Sequence, residues 1–288
     1  MNLNQQLLAI HVTQGIGMAT EARLIEAMNS DLLPKTYPWS LDVLLQITHR
    51  AYHDRIRATY SIALQHANNF KGNYLTYADD GYPQRLREIF EPPLVLFYEG
   101  QLAALRLPSL SVVGTRSATA YGLNSLRHLL PPVIQSSIAI VSGLAQGIDV
   151  MAHQMTFANN GVPIAVIGTG TDVAYPRRNA LLQKQITQQG LVISEYGPGV
   201  GPHRSHFPAR NRIIAGLSSA TLVVEAKIKS GSLITANVAL QNNREVLSIP
   251  GSIFSEESQG TNELLSLGAK LVTKPQDIIE SVQMLDII

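Results

Sequence analysis

The stretch Ser111-Val112-Val113-Gly114-Thr115-Arg116-Ser117 decides the fold. An apolar, strand-like run empties directly into a small turn that carries an arginine. The same pattern recurs downstream. The run at 138–141 leads into Ser142-Gly143-Leu144-Ala145, and the run at 163–167 into Gly168-Thr169-Gly170-Thr171-Asp172. The run at 191–194 leads into Glu195-Tyr196-Gly197-Pro198-Gly199. The run at 221–225 leads through Ala226 to Ser230-Gly231-Ser232, and the run at 246–249 into Pro250-Gly251-Ser252. A last run falls at 270–272. Helix-length segments separate these runs. Strands alternating with helices predict a parallel sheet covered on both faces, and near-continuous apolar character is what strands buried on both sides require. The fold class expected is α/β: an extended Rossmann-like, doubly wound, mostly parallel sheet.

Upstream the pattern changes. Leu7, Leu8 and Ile10, then Leu24, Ile25 and Met28, then Leu41, Leu44, Leu45 and Ile47 recur at helical spacing. Gly15-Ile16-Gly17 separates the first two segments, and Pro34 and Pro38 separate the second from the third. Gly15-Ile16-Gly17 resembles a helix-hairpin-helix turn, but its plain reading is a tight helix–helix connection. A connecting region follows, with Tyr82-Pro83, Glu91-Pro92-Pro93 and a strand over 94–98. The expected division is a small all-α domain over 1–73 and the α/β domain over 74–288.

Bulk properties exclude several classes. The 288 residues carry a formal net charge of only +1 and no cysteine, so disulfides and thiolate metal sites are out of reach. A small net charge leaves a polyanion partner open, because phosphate binding depends on where charge sits. Met1-Asn2-Leu3-Asn4-Gln5-Gln6 lacks the basic start and apolar run of a signal peptide. No apolar stretch approaches the roughly 20 residues that span a bilayer. A soluble cytoplasmic protein without a membrane span is the expectation.

In doubly wound sheets, ligands bind in the crevice at the carboxyl ends of the strands. Here nearly every strand ends in a Gly- or Ser-rich turn, where backbone amides and helix N-termini favour an anion. Gly114, Ser142, Gly143, Gly168, Ser230, Gly231 and Ser232 are therefore phosphate-binding candidates. Positive charge is added at Arg116 and at Arg177-Arg178 after Tyr175-Pro176. No carboxylate lies between Glu195 and Glu225, yet His203, Arg204, His206, Arg210 and Arg212 do. An acid-free basic stretch suits a polyanion. Tyr175 and Tyr196 stand equally as base-stacking or packing aromatics, whereas Phe207 before Pro208 reads as packing.

Other chemistries fit less well. Gly168-Thr169-Gly170-Thr171-Asp172-Val173 lacks the third glycine of a dinucleotide fingerprint, and no Gly-rich turn is followed by Gly-Lys-Ser/Thr. No cofactor is expected. Glu195 and Glu225 end strands and read as loop braces, not acid–base groups. Asp149 and His153, four residues apart on one helix face, are two ligands where a metal needs more.

The order of motifs resembles the bacterial DNA-processing protein A (DprA/Smf) family. The resemblance is carried by Ser111-Val112-Val113-Gly114-Thr115-Arg116, by Ser142-Gly143-Leu144-Ala145-Gln146-Gly147-Ile148-Asp149 with Ala152-His153, and by Tyr175-Pro176. Phe207-Pro208-Ala209-Arg210-Asn211-Arg212, Ser230-Gly231-Ser232-Leu233-Ile234-Thr235-Ala236, Ile249-Pro250-Gly251-Ser252 and Gly260-Thr261-Asn262 continue it. The helical N-terminal part is similar to a sterile-alpha-motif (SAM)-like domain. The resemblance implies a protein that binds and protects single-stranded DNA during natural transformation and loads RecA recombinase. It implies a homodimer formed through the Rossmann-like domain and no enzymatic activity; many members carry a winged-helix domain after the sheet, and the expectation here is that this chain has none. It places a phosphate on Gly114, Thr115 and Arg116, DNA contacts at Arg177 with Arg178 as neighbour, and Ser142, Gly143, Arg210, Asn211 and Arg212 around the same pocket. The alternative on the same fold is a phosphoribohydrolase-like enzyme acting on nucleotides. Such enzymes carry a Pro-Gly-Gly-rich helix start, and the comparable segment here, Ser230-Gly231-Ser232, lacks the glycine pair.

Overall fold

The first helix begins where Asn2 accepts a hydrogen bond from the Gln5 amide and Gln5 reaches back to the Asn2 amide, a reciprocal cap. The computed structural model describes residues 1–30, 32–34 and 37–286 and falls into two units, Met1–Phe97 and Tyr98–Ile288. The first unit holds α1 (Leu3–Val12), α2 (Met18–Asn29), α3 (Leu41–Ile47) and α4 (His53–Asn69). Leu7, Leu8, Ile10, Leu24, Ile25 and Leu44 of the helically spaced set are buried, with Ile56 added from α4, while Met28, Leu41, Leu45 and Ile47 are half-buried. Gln6 is buried among them without strain. Its Nε2 donates to the Trp39 carbonyl and the Tyr60 hydroxyl, each at 3.0 Å, and its Oε1 accepts from the Trp39 amide at 3.0 Å.

After α4 come β1 (Tyr74–Thr76), the single turn α5 (Gln84–Arg87) and β2 (Val95–Gly100). β1 pairs antiparallel with β2, Tyr74 opposite Phe97 and Thr76 opposite Val95. This pairing keeps the stretch with the first unit, so the compact division at Phe97 falls later than the 73/74 boundary expected from helical spacing.

The second unit alternates strand and helix as expected. Its order is β3 (Ser109–Val113), α6 (Ala120–Gln135), β4 (Ala139–Ser142), α7 (Ile148–Ala158), β5 (Pro163–Ile167), α8 (Ala180–Gln189) and β6 (Leu191–Ser194). It continues with α9 (His206–Leu217), β7 (Ala220–Val223), α10 (Gly231–Gln241), β8 (Glu245–Ser248), α11 (Glu256–Ser266), β9 (Lys270–Leu271) and α12 (Pro275–Asp286). These strands run parallel in the order β6-β5-β4-β3-β7-β8-β9. Alternation along β3 shows why both faces are covered. Leu110 and Val112 join the apolar cluster under α6, α7 and α12. Ser109 and Ser111 point the other way and donate to the Leu217 and Ile214 carbonyls at 3.1 and 2.6 Å, tying β3 to α9. The direction of winding reverses at β3, with β4 on one side and β7 on the other. This is the position at which a doubly wound sheet opens a crevice.

Candidate functional site

The turn after β3 is held from both sides. Thr115 donates its amide to the Glu225 carbonyl at 2.8 Å, and its own carbonyl accepts from the Ile148 amide at 3.2 Å. Gly114 is obligatory here, since a Cβ would lie 2.5 Å from Ile148 Cγ1. Gly147 has φ +84°, and a Cβ on it would lie 2.3 Å from the Thr115 carbonyl. The start of α7 therefore locks the turn, and Arg116 is left exposed at its tip.

Two adjoining cavities open at this edge of the sheet and share Arg116, Ala145, Phe207 and Arg210. The smaller lies over β4 and β5, against Gly143, Gln146, Gly168, Tyr175 and Arg178. The larger, about 620 Å³, lies over β3 and β7, against Gly114, Thr115, Asn211, Lys227 and Ser230-Gly231-Ser232. Together they form one groove across the switch point. Of the residues expected to bind phosphate, eleven line it: Gly114, Thr115, Arg116, Gly143, Gly168, Arg178, Arg210, Asn211, Ser230, Gly231 and Ser232.

Arg210 is the buried element of the groove, only 5% exposed. Its Nη1 donates to the Val166 carbonyl at 2.9 Å, and its guanidinium crosses the place where a side chain on residue 143 would stand. A Cβ there would lie 1.5 Å from Nη1 and 2.7 Å from Asp149 Oδ2, so Gly143 exists to let the arginine pass. Burial lowers the Arg210 guanidinium from its ordinary value; Asp149 opposes this and the like charge of Arg116 adds to it. Burial holds the Asp149 carboxyl above the usual carboxylate range, against the Arg210 charge and the Ala145 amide that donates to it at 3.2 Å. Two guanidinium groups thus repel one another across a groove whose amides and charges suit an anion.

Three of the expected residues line neither cavity. Arg212 is buried and directed away from the groove, paired with Glu195 through two bonds of 2.8 and 2.5 Å. It braces the end of β6 against α9, and its charge is committed there. The Ser142 hydroxyl is fully buried and donates to the Val112 carbonyl at 2.7 Å, so it ties β4 to β3, and Ser142 lines neither cavity. Arg177 is exposed on the turn before α8 but does not line either cavity; its neighbour Arg178 does, and donates to Gln146.

The glutamates at strand ends brace loops. Glu195 holds Arg212, and Glu225 accepts from the Thr119 amide at 2.9 Å and the Thr119 hydroxyl at 2.5 Å, fixing the residue that caps α6. Sequence reasoning missed Lys227 and Gln146 as lining residues. Lys227 had a readable signal: it is a cation in the strand-end loop between Glu225 and Ser230. Its charge is met by Glu256 at 2.8 Å and Glu257 at 3.4 Å, both in the first turn of α11. Tyr175 and Phe207 meet with ring centroids 5.6 Å apart at the mouth of the smaller cavity, and Tyr196 stacks on His206 at 3.7 Å. No metal-binding cluster of three or more suitable side chains occurs among the described residues. No described helix is long and apolar enough to cross a membrane.

Comparison with known proteins gives this groove a context. The family described as DNA recombination-mediator protein A matches residues 73–283. The chain is 49% identical over 201 residues to the DNA processing protein DprA of Streptococcus pneumoniae, covering 70% of this chain and 71% of that protein. An X-ray structure of DprA from Streptococcus pneumoniae superposes with a TM-score of 0.88 at 39% identity, over 96% of this chain and 97% of that one. DNA processing protein A from Helicobacter pylori, solved for its single-stranded DNA binding mode, superposes with a TM-score of 0.67 at 29% identity, over 74% and 97%.

Proposed function

The chain belongs to the DNA recombination-mediator protein A family, and from that premise we propose that it binds single-stranded DNA along the groove over β5, β4, β3 and β7. The observation that carries this reading is Arg116. It is exposed where the two cavities meet, and no carboxylate pairs with it among the described residues. A guanidinium so placed makes a charge-assisted contact to a backbone phosphate. Arg178 and Arg210 follow the strand on one side, and the start of α10 receives it on the other. Tyr175, half-exposed at the smaller cavity, is the aromatic best placed to stack on a base. The Helicobacter pylori relative, whose structure concerns single-stranded DNA, supports the polymer's identity.

The finer role rests on the family resemblance. The protein protects incoming DNA in the cytoplasm during natural transformation and hands it to RecA. It acts by binding, without enzymatic turnover or a cofactor, and as a homodimer through the second unit. The segment 260–272 is the proposed dimer surface, and its exposed Leu267 and Leu271 give it an apolar character.

A salt-titrated anisotropy assay on an oligo(dT) strand tests the binding role. Arg116→Ala is expected to weaken affinity about tenfold and to lower the slope of log K against log salt by about 0.7, the loss of one phosphate contact. Unchanged affinity and slope would remove Arg116 from the interface.

A further inference from the structure

The edge of the sheet that carries the groove continues past β7 to β8, which runs parallel and so ends at the same edge. From β3 to β8 is two strand spacings, about 10 Å. The loops after β7 and β8 are joined. The Ala226 amide donates to the Glu257 carbonyl and the Gly260 amide to the Ala226 carbonyl, each at 2.7 Å, and Lys227 reaches Glu256 at 2.8 Å. Glu257 itself lines the larger cavity. Lys227 and Lys229 in the first loop balance Glu256 and Glu257 at the start of α11, so net charge here neither draws nor repels a phosphate. What this stretch offers is apolar. The Ser255 amide donates to the Ser252 carbonyl at 3.0 Å, closing a turn with Ile253 and Phe254 at its two central positions. These side chains are 78% and 92% exposed. Turn centres favour Gly, Pro, Asn, Asp and Ser, each for a backbone reason. Two large apolar side chains there bury nothing and serve no turn geometry.

The turn is nevertheless firmly held. The Gly251 amide donates to Asn262 Oδ1 at 3.1 Å, and the Gly251 carbonyl accepts from Asn262 Nδ2 at 3.0 Å. A Cβ on Gly251 would lie 2.1 Å from Ser258 Oγ, so α11 packs directly on the chain. The Tyr121 hydroxyl, from the first turn of α6, donates to the Pro250 carbonyl, and the Ser252 hydroxyl accepts from the Phe254 amide at 3.2 Å. An aromatic side chain on so fixed a turn contributes little to a core and makes a stacking platform, because little backbone freedom is lost when a base settles on it. The exposed Leu267 and Leu271 lie beyond the other end of α11, whose 11 residues span about 16 Å, so Phe254 stands apart from that patch. We propose that Phe254, with Ile253 beside it, stacks on a base of the single strand beyond Arg116, so that the groove holds phosphates over β4 and β3 and a base over β8. This rests on the groove being the DNA site. A ring face accepts any base, which suits a strand bound without regard to sequence.

Binding of the full chain is measured by anisotropy with oligo(dT) and with an abasic strand of the same length, across a salt series. Phe254→Ala is expected to weaken oligo(dT) binding about tenfold, the loss of one stacked base, with the salt slope unchanged because no phosphate contact is lost. Binding of the abasic strand stays as in the wild type. Phe254→Leu, apolar but without a ring, loses as much as Phe254→Ala, whereas Phe254→Trp keeps the affinity. The side chain lies outside the core, so the thermal midpoints of all three variants stay at the wild-type value. Equal affinity of wild type and Phe254→Ala for oligo(dT), with Arg116→Ala still weaker, would overturn the proposal and leave the groove reading intact. An equal loss on the abasic strand would overturn it too. So would unchanged DNA affinity with altered sedimentation of the free protein, which would assign the turn to a second copy of the chain. Failure of the wild type to bind either strand would remove the groove reading and this proposal with it.

Discussion

Single residues here divide into those that face the groove and those that hold it, and the two are separable by experiment. Arg212 and Glu195 form a buried, two-bond ion pair, so Arg212→Ala leaves a carboxylate buried without its partner. The expected cost is about 3–5 kcal/mol, read as a fall in the denaturant midpoint, while the salt slope of DNA binding below the transition stays as in the wild type. A shallower slope would return Arg212 to the interface. His153 gives a pH dependence. Burial pushes its imidazole down to about 3, and the nearby Arg210 charge acts in the same direction. An unfolded chain protonates this ring near pH 6.5. Between that pH and about 3 the unfolded state holds the extra proton, so stability is lost as pH falls through this window, by at most about 1.4 kcal/mol per unit. Asp149, raised by burial, takes up its proton in the folded state first and works in the opposite sense. The comparison that isolates the imidazole is therefore urea unfolding of wild type and His153→Leu from pH 7 to pH 4, in which the variant loses less stability on acidification. Equal pH slopes would show that the ring is not held neutral. These partners also explain what a sequence hides. Arg116 stands out in the sequence because the small strand-end turn that carries it is read from the residues beside it. That Arg212 and Ser142 do not line the groove is hidden in the sequence, because their partners, Glu195 and the Val112 carbonyl, lie 17 and 30 residues away.

Elements, by contrast, were legible in proportion to their burial. The strands β5 and β6 match their sequence runs residue for residue, and β3, β4, β7, β8 and β9 lie within two residues of theirs. Runs buried on both faces carry a signal that no amphipathic helix imitates. β1 was missed because three residues with a half-buried start have no such run. Its place is fixed by β2, not by its own composition. The junction of β3 and α7 is the element-scale device on which binding depends. Gly147 adopts a positive φ that brings the first turn of α7 onto the Thr115 carbonyl. Gly147→Ala is expected to cost about 1–3 kcal/mol in strain alone, and more where the Cβ displaces the turn. Thermal unfolding should show the loss, and binding measured below the transition should weaken in step, because Arg116 hangs on that turn. Full affinity with lowered stability would mean that the turn positions nothing.

At the scale of the whole molecule, a nearly neutral chain gathers positive charge in one crevice. The formal net charge is +1, and the groove gathers Arg116, Arg178, Arg210 and Lys227 at the reversal of the sheet against the carboxylates of Asp149 and Glu257. That distribution, not the sum, is what fits a polyanion. The first unit brings its own core and no residue of the groove. The central claim is that this crevice grips single-stranded DNA by its phosphates. Competition between single- and double-stranded DNA for the full chain, run across a salt series with Arg116→Ala alongside, tests it most directly. The account predicts preference for the single strand at every salt concentration and a shallower salt slope for the variant. Equal affinity for duplex, with a slope that Arg116→Ala does not change, would contradict it.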